Sequence, residues 1–312
     1  MAYFLGIDTS NYTTSVALYN DENDRISHTK MLLPVKSGER GIRQSDAVFN
    51  HIKQLPIVFD KLFYGEKYNI SAIGVSAYPR DCEGSYMPCF LAGVSCASAL
   101  ADVLSVPLLK FSHQRGHIAA ALYSSDRYDL FSKDFLAFHL SGGTTELLFV
   151  KPDKDKIINP HILSSTNDIN AGQLIDRVGV MMGLDFPAGP ALERLAITYD
   201  TDDYKKIKLN NGNCSLSGIE NIAKKMLTDN APKEYIARYV LNTVYMTVKN
   251  MVLSAIDNFG QLPMVFAGGV MSNSIIKNKL VTDFDDVNFA EPEFSADNAT
   301  GIALLTKMSY KG

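Results

Sequence analysis

The 312-residue chain has no run of about 18 apolar residues, so no stretch of it reads as a membrane-spanning helix. It also lacks a positive excess: 30 Lys and Arg stand against 34 Asp and Glu, a formal net charge of −4. A chain-wide basic field is thereby excluded, and any nucleic-acid contact must use a local patch or a partner protein. Cysteines number four, without the paired spacing of secreted disulfide frameworks, which suits a reducing cytoplasm. Cys82, Cys89 and Cys96 recur every seven residues. That is not zinc-ribbon spacing, and it points to buried thiols. Low-complexity tracts and long linkers are absent. Residues 1–8 lack the basic opening of a signal peptide and read as strand.

What is present is globular material, 46% hydrophobic and 21% charged. The length exceeds what one core normally organises, so two domains are expected. Residues 3–8 form an apolar strand, then a hydroxyl-rich turn from Thr9 to Thr14, then a second strand at 15–20. Residues 134–140, the turn Ser141-Gly142-Gly143-Thr144-Thr145 and residues 146–150 repeat that unit. Hydroxyls and N–H groups in such turns can hold a phosphate, although one copy alone is equally a plain hairpin. The duplication is the organisation of the actin-like ATPase fold, two related α/β lobes that clamp a nucleotide. We expect a first lobe over 1–115, a second over 116–296, and a helix over 297–312 that crosses back to the first.

Between these landmarks the period is mostly helical. Residues 45–63 carry an amphipathic helix that Pro56 should kink or divide. A small-residue helix over 87–104 is either a subunit interface or ordinary core packing. Further helices are expected at 171–184, 187–196 and 234–259, and a buried strand at 263–267 runs into Gly268-Gly269 before another helix. A glycine pair there lets a ligand approach the backbone at a helix N-terminus.

His113 and His117 lie four apart where an Ala- and Leu-rich helix begins. That spacing sets both imidazoles on one face, one turn apart, where one metal ion can meet two ring nitrogens. A pair of surface histidines is the alternative. No glutamate follows the first histidine, so the general base of the H-E-x-x-H zinc proteases is missing.

Taken in order, Gly6-Ile7-Asp8-Thr9-Ser10, His113-x-x-Gly116-His117, Ser141-Gly142-Gly143-x-Thr145-Glu146-Leu147, Ala171-Gly172-x-x-x-Asp176, Pro187-x-Gly189-Pro190, Ser215-x-Ser217-Gly218, Ala267-Gly268-Gly269-Val270-x-x-Asn273 and Asp297-Asn298 resemble the TsaD family. Its members form threonylcarbamoyladenosine in tRNA and were once called O-sialoglycoprotein endopeptidases. The resemblance implies one divalent metal ion, iron or zinc, on His113, His117 and Asp297. It implies an adenylate or ATP nucleotide in the interlobe cleft, touching His139, Leu140, Ser141, Gly142, Gly143, Asp176, Gly189, Glu193 and Asn273. The implied partners are tRNA and TsaB-, TsaE- and TsaC-like proteins.

The chain also departs from the family pattern. Tyr12-Thr13-Thr14 replaces two acids, Gln114-Arg115 stands between the histidines, Thr144 replaces a histidine and Gln173 a glutamate. Arg80-Asp81-Cys82-Glu83-Gly84 fills the place of a Gly-Pro-Gly turn. Fewer acids, with Arg80 and Arg115 gained, are expected to make the cleft less negative. The departures leave open a non-catalytic paralogue that binds nucleotide and metal, or a small-molecule carbamoyl or phosphoryl transferase of the same fold.

Overall fold

The structure is a computed structural model that describes residues 1–10, 12–34, 42–295 and 299–310. The chain divides into two compact units, the first comprising Met1–Phe131, Pro152–Asn159 and Glu293–Gly312, the second Ser132–Lys151 and Pro160–Pro292.

Unit 1 is built on β1 (Tyr3–Asp8), β2 (Thr13–Asn20), β3 (Arg25–Leu32), β4 (Ile70–Tyr78) and β5 (Leu108–Ser112), in the order β3-β2-β1-β4-β5. β2 runs antiparallel to both β1 and β3, whereas β4 is parallel to β1 and to β5. Strand alternation sends Leu5 and Ile7 of β1 into a core with Leu55 and Val58 of α1 (Gln44–Phe63) and with Ala92, Ala97 and Ala101 of α2 (Phe90–Leu104). On the other face α10 (Thr300–Ser309) lies so close that a Cβ on Gly6 would sit 2.5 Å from the Ala303 nitrogen. The same helix meets α3 (His113–Ser124), where a Cβ on Gly301 would lie 1.8 Å from the Gly116 carbonyl oxygen. Both positions require glycine for this backbone approach.

Unit 2 repeats the plan with β6 (Phe135–Leu140), β7 (Thr145–Asp153), β8 (Ile157–Ser165), β9 (Met264–Ala267) and β10 (Val287–Phe289), ordered β10-β9-β6-β7-β8. β6 takes the place of β1, antiparallel to β7 and parallel to β9. Its helices are α4 (Ala171–Met181), α5 (Gly189–Ile197), α6 (Ser217–Thr228), α7 (Lys233–Phe259) and α8 (Ser274–Asp283), with the short α9 (Pro292–Ser295) leading out. One apolar core joins Leu136, Phe138, Val178, Val240, Val244 and Phe266.

Several expectations are corrected. Pro56 does not divide α1, which is a single 20-residue helix. The carbonyl that a proline leaves without its donor belongs to Ile52, which is 57% exposed, so water can take it up. Residue 115, where the first lobe was expected to end, lies inside α3, and unit 1 runs on to Phe131. Of the three evenly spaced cysteines Cys89 is buried at the start of α2 and Cys96 on α2 is half-buried, but Cys82 is exposed in the loop after β4, so the buried-thiol expectation fails there. Among the described residues no helix is long and apolar enough to cross a membrane.

Candidate metal centre and nucleotide turn

In unit 1 the polar groups gather at the C-terminal ends of the parallel strands, the usual place for a ligand in an open α/β sheet. Asp8 ends β1 and is 1% exposed. Its Oδ1 accepts from the Ser10 backbone N–H at 2.7 Å, and its Oδ2 accepts from the Ser76 hydroxyl at 2.7 Å. The same Oδ2 is 2.8 Å from His113 Nδ1. A carboxylate there holds the proton on Nδ1 and turns the Nε2 lone pair outward, as the partner of a metal-ligating histidine does.

β5 delivers the chain to α3 through Ser112, whose hydroxyl caps the helix by accepting from the Arg115 N–H at 3.3 Å. His113 and His117 then follow one turn apart, with their Nε2 atoms 2.8 Å from each other. Two converging imidazole nitrogens, one with a carboxylate behind it, fit a borderline divalent ion such as iron or zinc. Asp297, expected as the third ligand, lies outside the described residues, and among these no three His, Cys, Asp or Glu side chains are arranged to hold a metal ion.

Arg115 does not add free positive charge. It is 2% exposed, and its Nη2 lies 2.8 Å from Asp81 Oδ1. Asp81 Oδ2 accepts from the Ser112 hydroxyl at 2.6 Å, and Gln114 donates its N–H to the Pro79 carbonyl at 3.1 Å. Two departures noted in the sequence are therefore one device: the loop after β4 is stapled to the start of α3. Thr14, next to the positions Tyr12 and Thr13 where acids were expected, is fully buried; its hydroxyl reaches Gln54 Oε1 at 2.7 Å and His51 Nδ1 at 2.8 Å on α1.

Unit 2 presents its own cluster at the ends of β6 and β9. In the Ser141–Thr144 turn the Ser141 hydroxyl accepts from the N–H groups of Gly143 and Thr144 at 3.2 and 3.1 Å. Those donors point at the serine. α4 docks on the turn through Gly172, whose added Cβ would lie 2.6 Å from Ser141 and Gly142 backbone atoms. Gln173 reaches back to the Asn170 N–H at 3.1 Å, so amide and carboxylate serve equally in this capping box. Asp176 accepts from the Ala188 N–H at 2.8 Å at the start of α5. Burial pushes its carboxyl above the ordinary value, against the Ala188 and Gly189 N–H groups that pull it down. Glu193 accepts from the N–H of Ser274 at 2.7 Å and from its hydroxyl, and Asn273 caps α8 by accepting from Ile275 and Ile276 at 3.1 and 3.2 Å. Gly268, at φ +96°, passes over the Leu140 carbonyl, which accepts from the Val270 N–H at 3.1 Å.

These contacts tie the Ser141–Thr144 turn to α4, α4 to the start of α5, and α5 to the start of α8. A family profile described as tRNA N6-adenosine threonylcarbamoyltransferase matches residues 29–304. The chain belongs to the TsaD family. Two relatives bear the name tRNA N6-adenosine threonylcarbamoyltransferase. The one from Thermosipho africanus is 28% identical over 319 residues, covering 98% of this chain and 94% of the relative. The one from Sulfurihydrogenibium sp. is 30% identical over 324 residues, covering 98% and 90%. Among solved structures, nucleotide-bound full-length HypF superposes with a TM-score of 0.61 at 14% identity, covering 97% of this chain and 54% of HypF. Component A of the Acidaminococcus fermentans (R)-2-hydroxyglutaryl-CoA dehydratase superposes at 0.59 with 11% identity over the whole of both chains. These likenesses show the actin-like ATPase fold.

Within this TsaD-family chain, sequence reading missed Asp8 as the partner of His113 and Asp81 as the partner of Arg115. The signal for the first was present: an acid closing an otherwise apolar strand. Nothing local marked the second.

Proposed function

We propose that the chain transfers a threonylcarbamoyl group from threonylcarbamoyl-AMP to N6 of an adenosine in tRNA. The observation that supports it is the pair of Nε2 atoms 2.8 Å apart with Asp8 behind His113. His113, His117 and Asp297 would hold one divalent ion, iron or zinc. Such an ion supplies Lewis-acid polarisation of a carbonyl or phosphoryl oxygen. The amine nitrogen attacks the carbamoyl carbon, the C–O bond to phosphate breaks, AMP leaves with that electron pair, and the amine loses a proton. His139, Leu140, Ser141, Gly142, Gly143, Asp176, Gly189, Glu193 and Asn273 would bind the nucleotide. Asp176 keeps acceptor capacity for a ribose hydroxyl beyond its two N–H partners, because a carboxylate has about four lone-pair sites.

TsaB-, TsaE- and TsaC-like proteins of the cytoplasm are the proposed partners, and a chain of net charge −4 would take tRNA with their help. α2 buries Ala92, Gly93, Ala97 and Ala101 and exposes Leu91, Ser95, Ala99, Val103 and Leu104, so a core-packing reading and an interface reading apply to its two sides.

One observation favours a non-catalytic paralogue instead. The Gly143 and Thr144 N–H groups, expected to face a phosphate, are donated to Ser141. The deciding assay combines the purified chain, its partners, threonylcarbamoyl-AMP and unmodified tRNA, with His113→Ala/His117→Ala as control. Product above that control supports the transferase. Equal product ends the reading, and ADP formed from ATP would indicate a phosphoryl transferase.

A further inference from the structure

Unit 1 contains a second concavity that uses none of the residues discussed so far. Its volume is about 710 Å³, and its walls include Tyr19, Asp24, Tyr123, Asp126, Tyr128 and Phe131, closed by α10. That size suits a small ligand, since such pockets span about 300–1,000 Å³.

The walls are aromatic and their rings are fixed. Tyr123 and Tyr128 stand nearly perpendicular, 83° apart with centroids at 6.2 Å, and Tyr128 meets Phe131 at 6.4 Å. The Tyr19 hydroxyl donates to Asp24, and the Tyr123 hydroxyl accepts from the Ile26 N–H at 3.2 Å. Tyr19 and Tyr123 are thus anchored by their polar tips, leaving their apolar bodies to the wall.

The charge in the cavity is negative. Asp24 and Asp126 sit in left-handed turns, at φ 54° and 55°, after β2 and α3. Asp126 is exposed and forms no ion pair among the described residues. The cation on the wall, Lys307, is already engaged: its Nζ lies 5.6 Å from the centroid of the Tyr19 ring and 3.7 Å from Asp21 Oδ1. Burial, and then the Tyr123, Asp24 and Asp126 charges, push the Tyr128 phenol up to about 12. Carboxylates from two separate turns therefore act on one ring.

We propose that this cavity binds an organic cation, an alkylammonium or a guanidinium group, against the exposed Tyr128 ring with Asp24 and Asp126 as countercharge. Aromatic faces attract cations through their quadrupole, most strongly where water is thinned out. A free polyamine and a basic side chain of a polypeptide share this chemistry. An anion would meet two carboxylates, and a neutral ligand would leave them unused.

The test titrates the full chain, labelled with ¹³C in its tyrosine rings, with spermidine in one arm and a short Lys-rich peptide in the other. The Tyr128 signal is assigned by its loss in Tyr128→Phe. We expect saturable shifts at Tyr128 from at least one probe. The combined Asp24→Asn/Asp126→Asn variant should weaken binding at least about fivefold, as Tyr128→Ala should, whereas Tyr128→Phe keeps it, both Tyr128 variants being read at the Tyr123 signal on the same wall. Asparagine tolerates the left-handed turns, so the double variant should remain folded even if Tyr128→Ala does not. Fully acetylated probes should not bind. Saturation by spermidine alone identifies a small metabolite, and saturation by the peptide alone identifies a partner chain. Shifts that never saturate, or equal affinity in the double variant, would overturn the proposal.

Discussion

Replacing Asp81 by Asn should destabilise unit 1 out of proportion to the size of the change. The substitution keeps the shape and an oxygen for the Ser112 hydroxyl, but it strands the Arg115 guanidinium, which is 2% exposed, without countercharge. Removing one partner of a buried pair costs about 3–5 kcal/mol. The lower figure applies here. Arg115 Nη2 approaches Asp81 at 2.8 Å, yet neither it nor Nε makes a hydrogen bond of good geometry, so the attraction is mainly Coulombic. In a unit of this size that corresponds to about 6–12 °C in melting temperature. Removing both charges, with Asp81→Leu and Arg115→Met, should recover most of the loss, because apolar replacement of a buried pair is often close to neutral. The two units need not melt together, so the measurement should follow hydrogen exchange of the α3 amides alongside the thermal transition. A shift under about 2 °C for Asp81→Asn, or a double variant no better than the single one, would refute the staple.

Three further outcomes are expected. Gly172→Ala should displace α4 from the Ser141 turn and cost at least about 2 kcal/mol, because its Cβ meets backbone rather than a movable side chain; Gly142→Ala and Gly143→Ala face open space and should be tolerated, as urea unfolding will show. Asp8→Asn should lower metal affinity about 10- to 100-fold in chelator competition, and unchanged affinity would remove Asp8 from the centre. Asp168 is pushed up by burial but pulled lower overall by the Ser217 hydroxyl and the Leu216, Ile169 and Ser217 N–H groups. Its depressed carboxyl stabilises the start of α6 above the unfolded value and loses that contribution as pH falls through the folded one. The stability advantage over Asp168→Asn should therefore shrink below about pH 4 in urea titrations, and a gap that stays constant would count against this cap.

The strand–turn–strand echo was legible because β1, β2, β6 and β7 are the apolar centre of each sheet. Their edge partners were not. β3 mixes Ser27, His28, Thr29 and Lys30 into a half-exposed strand, and β8 contains Pro160 and His161, residues that argue against a central strand and are tolerated at an edge. The histidine pair was legible from its spacing. The roles of Gln173, Glu193 and Asn273 as helix caps were not, since a cap depends on which helix start the fold brings within reach. Arg115 shows the same limit: read alone it was a new positive charge, and only the folded loop supplies Asp81 to neutralise it.

The seating of α3 on α10 has a consequence for synthesis. A ribosome makes His113 and His117 early, but Gly301, on which the Gly116 turn rests, emerges only after all of unit 2. The imidazole pair is therefore translated well before α10 braces it. A chain stopped short of residue 300 would carry both histidines and no platform beneath them.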